Sequence, residues 1–494
     1  MNTVETTAPE GLQRNAIGLR EVLFQSITAM APGAAIAASI PAGAAFAGGA
    51  LPLSVLVALV ACLFTALAIG ELARHLPSSG SVATYTAQGL HPTVGFLVGW
   101  GYVFVELLVP PLLFLQLGFT TAATLNQESS SFSADLWWPW ALVGAVIVLL
   151  AGYKGITASA RLGTILGAFE IVVFLVLAVL LVVKAGSHNT LSVFTSTHTP
   201  PDHKGVVGVI AGSVYTVLAF SGFEAAAPLA EEAKDPKRTI RRAIVGATLS
   251  IGALYVFTTY AVDVAFGPGR FAGFMTSGQD SWQGLARSSY GLFWVLVFLA
   301  IVNSTIANAN AGASVSTRTA YALGRIRLLP RMVTVLHPTH RSPYLAVLAQ
   351  FVIGVAVTLG LGFAYDPVTA FLLVATVIVL VVVLVYILCN LACIGFFVRK
   401  RREDLNPLLH IVIPLLGVTA FVPALFTAAG VKIFSFVVPL TTPVSYAGPI
   451  VGVWLLLGLL YLLYLLARHP ERVRRMSQVH LVDELDAHER EVAA

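Results

Sequence analysis

Long apolar runs, each closed by Gly, Pro or a knot of charge, alternate with short polar segments along the whole chain. They place candidate spans at 21–48, 52–73, 93–124, 136–153, 158–183 and 205–230. A second six lie at 240–265, 288–323, 343–363, 367–398, 407–430 and 446–467. A hydrocarbon core about 30 Å thick takes roughly 20 apolar residues per helix, so these runs are of crossing length. The pattern predicts an all-α integral membrane protein with 12 transmembrane helices, divided into an N-terminal segment 1–20, a transmembrane domain 21–467 and a tail 468–494. The first twenty residues are polar and lead into a full span, so no removable signal peptide is expected. The charged tail reads as a short helix or a disordered end.

Charge supplies the orientation. An even number of spans puts both termini on one side, and that side holds 24 of the 29 Lys and Arg residues. The other side holds five, namely Lys184, Lys204, Arg270, Arg287 and Lys432. Cytoplasmic loops carry the positive excess, so both termini are expected to be cytoplasmic, in a multi-pass protein of the cell membrane. A span missed or invented mid-chain would invert every later loop and destroy this asymmetry. The net charge of +5 is therefore explained by orientation in lipid and not by nucleic acid. Composition excludes a soluble enzyme: 57% of residues are hydrophobic and 11% charged, against about 25% charged in ordinary soluble domains. Cys62, Cys389 and Cys393 lie inside apolar runs and read as packing residues, with no disulfide or zinc pattern.

Two spans carry breakers near mid-depth. Span 1 contains Ala29-Met30-Ala31-Pro32-Gly33-Ala34-Ala35, and span 6 contains Leu218-Ala219-Phe220-Ser221-Gly222-Phe223-Glu224. Pro lacks a donor and Gly tolerates non-helical geometry, so helices 1 and 6 are predicted to be broken there. Such paired interruptions point to a transporter site at the midplane, while a plain Pro kink is the alternative for span 1 taken alone. The amides of Gly33, Ala34 and Ala35, at the start of a half-helix, suit a carboxylate. Carbonyls near Ala29, Met30 and Leu218 to Ser221 suit an ammonium. Opposed ends of this kind fit a zwitterion carrying both groups on one carbon, hence an amino acid.

At these residues the chain resembles the amino acid-polyamine-organocation (APC) superfamily, specifically its bacterial amino acid permeases. The likeness continues through Pro77-Ser78-Ser79-Gly80 to Tyr85, through Glu231-Glu232-Ala233-Lys234-Asp235-Pro236 with Ile240 and Ala243-Ile244, and through Arg318, Tyr321-Ala322 and Leu329-Pro330. The resemblance implies a 5+5 inverted repeat with two additional helices, alternating access, and secondary transport of amino acids or related amines without ATP. It also implies substrate contacts at Ala29, Pro32 to Ala35, Leu218, Ser221 and Gly222. The sequence departs from the family in having no second Gly within 34–38, and in placing Leu218 where many members have an aromatic gate, with Tyr215 or Phe220 as substitutes. Gly312 stands where some relatives carry a bulky residue, which implies room for a larger side chain.

Ionisable residues at membrane depth are costly and become functional candidates. Glu224, beside the span 6 interruption, is a candidate proton site or a structural hydrogen-bonding group. Glu106, mid-span 3, could accept a proton or face a cationic substrate. Glu170 in span 5 is a third and weaker candidate, better explained by pairing with another span. Glu71 and Arg74 read as a local ion pair, and Asp263 and Asp366 as solvated outer-end residues. No Lys occupies mid-span 5, whereas some relatives use one there in place of a cation. Ser304 and Asn308, four apart in span 8, could offer oxygen ligands to Na+, or simply hydrogen bonds between helices. Coupling to H+ or Na+, and exchange, stay open.

All eleven histidines fall in loops, tails or span ends and form no catalytic constellation, so no enzyme, cofactor or metal is expected. A phosphate loop and a channel filter are also missing. A polyamine or amine exchanger and a non-transporting ligand sensor remain the alternatives to an amino acid transporter.

Overall fold

The structure is a computed structural model that describes residues 15–475 apart from 79, 130, 155, 275–281, 341, 434–436 and 438–439. Most of the predicted N-terminal segment (1–14) and of the tail (476–494) lie outside the described residues.

The chain opens with α1 (Leu19–Met30), α2 (Pro32–Ala34), a π turn (Ala35–Ser39), α3 (Ile40–Ala42), α4 (Ala44–Ala47) and α5 (Leu51–His75). A short α6 (Ser81–Gly89) leads to α7 (Pro92–Glu128), α8 (Trp137–Lys154) and α9 (Ile156–Ala185). Next come α10 (Val206–Phe220), a 3-10 segment (Phe223–Leu229), α11 (Pro236–Phe266), α12 (Trp282–Tyr290) and α13 (Phe293–Arg325). The chain closes with α14 (Tyr344–Tyr365), α15 (Pro367–Arg399), a π turn (Leu408–Val412), α16 (Ile413–Ala429), α17 (Ala447–Arg468) and α18 (Pro470–Arg474). The described residues contain no β-strand, only an isolated bridge from Ile17 to Ala233.

Among the described residues, ten helical runs are long and apolar enough to cross a membrane, and Trp137–Tyr153 is a shorter apolar helix. One of the ten, Leu19–His75, has 57 residues; as a single rod it would measure roughly 85 Å, nearly three bilayer cores. It is not one rod. The backbone turns left-handed at Ala31 (φ 47°) and at Gly48 (φ 55°), and a side chain at Gly48 would fall 2.6 Å from the His198 carbonyl.

Helix α5 packs along α11, α7 packs along α13 and α15, and α1 lies against α9, α11 and α13. Apolar side chains point outward from the outer helices, with Val172 57% exposed, Val352 57% and Leu460 54%, while Glu106, Glu170 and Glu224 are buried. This inverts the order found in water and suits a lipid solvent, in which carboxylates must face the bundle interior.

One end of the bundle gathers many of the basic clusters. Glu71 pairs with Arg241 at 2.7 Å, closer than its neighbour Arg74 at 3.9 Å, so the expected local pair is mainly a tie from α5 to α11. Glu232 accepts from Arg318 at 3.2 Å, and Glu231 lies 3.9 Å from Arg325. Ile17 exchanges backbone hydrogen bonds with Glu232 and Lys234. Arg472, just after α17, reaches the Arg327 carbonyl. The two ends of the described chain therefore meet the same surface.

Asp263, read above as solvated, is fully buried near the end of α11 with neither carboxylate oxygen hydrogen-bonded. Its helix position fixed its depth but not its packing. Asp366 caps α15, its Oδ1 accepting from the amides of Val368 and Thr369 at 2.9 and 3.0 Å.

Candidate functional site

Helix α1 stops at Met30 because its next residue precedes a proline. Pro disfavours the right-handed helical region for the residue before it, and at the first position of a new helix its missing N–H costs nothing. Ala31 accordingly sits at φ 47°, ψ 66°, and Pro32 opens α2. The interruption thus falls at Ala31, one residue before the Pro32-Gly33 pair. On the other side, α10 ends at Phe220, Ser221 is extended (ψ 132°), and Gly222 turns left-handed at φ 109°. A side chain on Gly222 would lie 2.6 Å from the Ala29 carbonyl oxygen. Only Gly satisfies both that φ and that approach. The two interruptions touch there, and Ser26 ties them further: its hydroxyl donates to the Phe223 carbonyl at 2.8 Å and accepts from the Ala226 amide at 3.2 Å.

A cavity of about 40 Å³ lies at this junction. Of the residues singled out above, Ala29, Met30, Ala34, Ala35, Leu218, Ser221, Gly222, Gly312, Glu106 and Asn308 line it, and Pro32, Gly33, Glu224 and Ser304 do not. Pro32 starts the helix behind the lining. Gly33 faces α13, where an added Cβ would meet the Ala300 carbonyl oxygen and Ser304 Cβ at 3.0 Å each. Ser304 and Asn308 therefore part company: the first backs onto Gly33 while the second faces the cavity. Gly312 leaves no spare room, because Val109 fills the space beside it and an added Cβ would lie 2.6 Å from Val109 Cγ1. Leu218 is in the lining, whereas Tyr215 stacks on Phe46 and Phe220 meets Tyr255 edge-on.

Several of the backbone groups predicted to be free for ligand are already engaged. The Ala35 amide donates to the Ala31 carbonyl at 2.8 Å, because the helical ladder restarts at once after the interruption. The Met30 carbonyl accepts from Tyr255 Oη at 2.6 Å, and the Leu218 carbonyl accepts from the Ser221 amide at 3.0 Å. Sequence reasoning missed Ser39 and Gln116 in the lining. Gln116 stands ten residues, nearly three helical turns, after Glu106, and a polar residue so placed in an apolar helix was the available signal. Its Nε2 donates to the Ala34 carbonyl at 2.9 Å, holding α7 against the second half of the first helix.

Three buried carboxylates surround the junction. Glu106 is the one acidic side chain among the lining residues. Glu224 stands behind the lining, where its Oε2 accepts from Tyr386 Oη at 2.8 Å and from the Gly222 amide at 3.2 Å, while Oε1 has no partner. Any change at Glu224 is thus felt directly at Gly222. Glu170 lies against Gly33 on the opposite side, its Oε2 3.1 Å from where a Gly33 Cβ would stand, with neither oxygen hydrogen-bonded and with the Ser304 hydroxyl also unpartnered. Packing thus sets Glu170 against the first interruption as it sets Glu224 against the second.

Residues 17–462 match the family model described as amino acid permease. The chain is 27% identical over 363 residues to the low-affinity putrescine importer PlaP of Escherichia coli strain K12, covering 72% of this chain and 75% of that protein. It is 29% identical over 321 residues to the branched-chain amino acid permease BcaP of Bacillus subtilis strain 168, covering 62% and 66%. It is 30% identical to the uncharacterized transporter Rv1999c of Mycobacterium tuberculosis, covering 71% and 74%. These relatives indicate a transporter and not an enzyme, and together with the apolar helices they make this a multi-pass membrane protein. The chain belongs to the amino acid permease family of the APC superfamily.

Proposed function

We propose that this protein is a secondary active transporter that moves amino acids or related amines across the cytoplasmic membrane by alternating access, with substrate held between the interruptions of helices 1 and 6. The observation that carries the reading is the convergence of both interruptions on one buried cavity beside Glu106. Twelve spans follow if the 57-residue run is two crossings and Trp137–Lys154 is another. A 5+5 inverted repeat with two additional helices and cytoplasmic termini complete the reading, the latter supported by the 24 to 5 division of basic residues. A cavity of about 40 Å³ has room for no more than a few waters. Substrate entry therefore requires the halves to move apart, which is what alternating access supplies.

Transport in this reading is coupled to H+ or Na+, with exchange as the alternative. Glu224 is placed to transmit protonation to Gly222, while Ser304 with Glu170, and Asn308 with Glu106, are the oxygen-rich alternatives for a cation. A second reading, a cationic amine as substrate, is favoured by Glu106 as the acidic group in the lining and by the putrescine importer among the relatives. A substrate with an extra ammonium would compensate that carboxylate, which a simple zwitterion leaves unpaired.

The test is a thermal-shift screen of purified protein against amino acids and diamines, followed by uptake of each hit into proteoliposomes with and without pH and Na+ gradients. Binding without any uptake would favour a ligand sensor. Uptake that neither saturates nor responds to internal substrate would favour a channel.

A further inference from the structure

A second concavity, of about 650 Å³, opens at the end of the bundle that gathers the basic clusters, and nothing in the transport reading uses it. Arg74, Lys237, Arg238 and Arg401 line it with one acid, Asp235, and with Phe396 on its apolar floor. The four cations come from three separate places: the end of α5, the first turn of α11 and the loop after α15. Hydropathy alone ends the spans at 73, 240 and 398, so these side chains stand at the level where lipid headgroups meet water. Elsewhere on this end, buried acids take up arginines across helices, as Glu71 does Arg241 and Glu232 does Arg318. Here acids also stand near the cations, but two of the pairs are looser and the guanidinium groups more exposed: Arg74, 54% exposed, is 3.9 Å from Glu71, and Arg238 is 3.9 Å from Asp235. Arg401 is held at 3.0 Å by Asp404 and lies 3.7 Å from Glu403.

We infer that this concavity binds the phosphate of an anionic lipid headgroup, whose negative charge the four convergent cations would share. Guanidinium groups match phosphate oxygens in paired geometry, and a basic pocket among helix ends at the cytoplasmic face suits such a headgroup. A headgroup bound there links α5, α11 and the α15–α16 loop, so its occupancy stabilises the arrangement of helices described here. Free inorganic phosphate shares the chemistry, and the experiment separates the two sources.

Full-length protein in neutral detergent is titrated at constant ionic strength with short-chain phosphatidylglycerol, short-chain phosphatidylcholine or inorganic phosphate, and the midpoint of thermal unfolding is read. Phosphatidylglycerol is expected to raise the midpoint by several degrees and phosphatidylcholine to leave it unchanged. The triple variant Lys237→Gln, Arg238→Gln, Arg401→Gln should lose that rise, while the control pair Arg331→Gln, Arg468→Gln, exposed elsewhere on the same end, should keep it. A rise with inorganic phosphate as well upholds the phosphate site and makes a soluble anion its source. No rise with either anion, or an undiminished rise in the triple variant, overturns the assignment. If the triple variant does not fold, Arg238→Gln alone carries the test at a side chain 76% exposed: lipid titration must show weaker phosphatidylglycerol binding than wild type, and equal binding rejects the site.

Discussion

Glu224 and Gly222 are joined by a hydrogen bond in which a carboxylate oxygen holds an amide that helical bonding has released. Gln at position 224 keeps an acceptor for Tyr386 and for the Gly222 amide but cannot take up a proton. Glu224→Gln is therefore expected to retain substrate binding in a thermal-shift assay while uptake stops responding to a pH gradient. An unchanged response would move the coupling site elsewhere. Tyr386→Phe removes one hydrogen bond to the same buried group and should cost about 1 kcal/mol, seen as a fall of about one degree in Tm. Glu106→Gln separates the substrate readings: diamines should lose about tenfold or more in affinity when a buried charge partner is removed, while neutral amino acids bind as before. Gly222→Ala forces a side chain to φ 109° and to within 2.6 Å of the Ala29 carbonyl, and should abolish uptake.

At the scale of the element, the first helix is divided by Pro32 acting on Ala31, and the division has a measurable signature. A non-glycine residue in the left-handed region is strained by roughly 1–2 kcal/mol. Ala31→Gly removes that strain, so Tm should rise or hold and uptake should persist. Pro32→Ala frees position 31 to become helical, and a continuous α1–α2 should depress uptake without loss of membrane insertion, as judged by the yield of monodisperse protein. Loss of uptake in Ala31→Gly and its retention in Pro32→Ala would contradict this account. The positions of the long apolar helices were legible from hydropathy, because lipid enforces long apolar runs with polar ends, whereas the short helices α6 and α12 were not. The neighbourhood of the interruption at Pro32 was legible too, since Pro and Gly act locally. Their partners were not. That Met30 gives its carbonyl to Tyr255, or that Gln116 takes the Ala34 carbonyl, depends on residues 225 and 82 positions away. Likewise, Val109 filling the space at Gly312 is a fact of packing between helices that no single-chain pattern contains.

For the whole molecule, the same logic sets what can be expected of the two ends. Ties such as Arg318 to Glu232 and the Ile17 bonds to 232–234 join the start of the chain, the segment after α10 and α13 at the basic end. Opening the cavity toward that end must loosen them. The central claim remains that a small charged molecule binds where the two interrupted helices meet, and counterflow into proteoliposomes, comparing wild type with Ser221→Leu, tests it most directly. Ser221 lines the cavity, so a bulky apolar side chain there should occupy the substrate's place while leaving the bundle inserted. The account predicts saturable uptake stimulated by internal substrate in wild type and none in the variant. Equal counterflow in both proteins would contradict it.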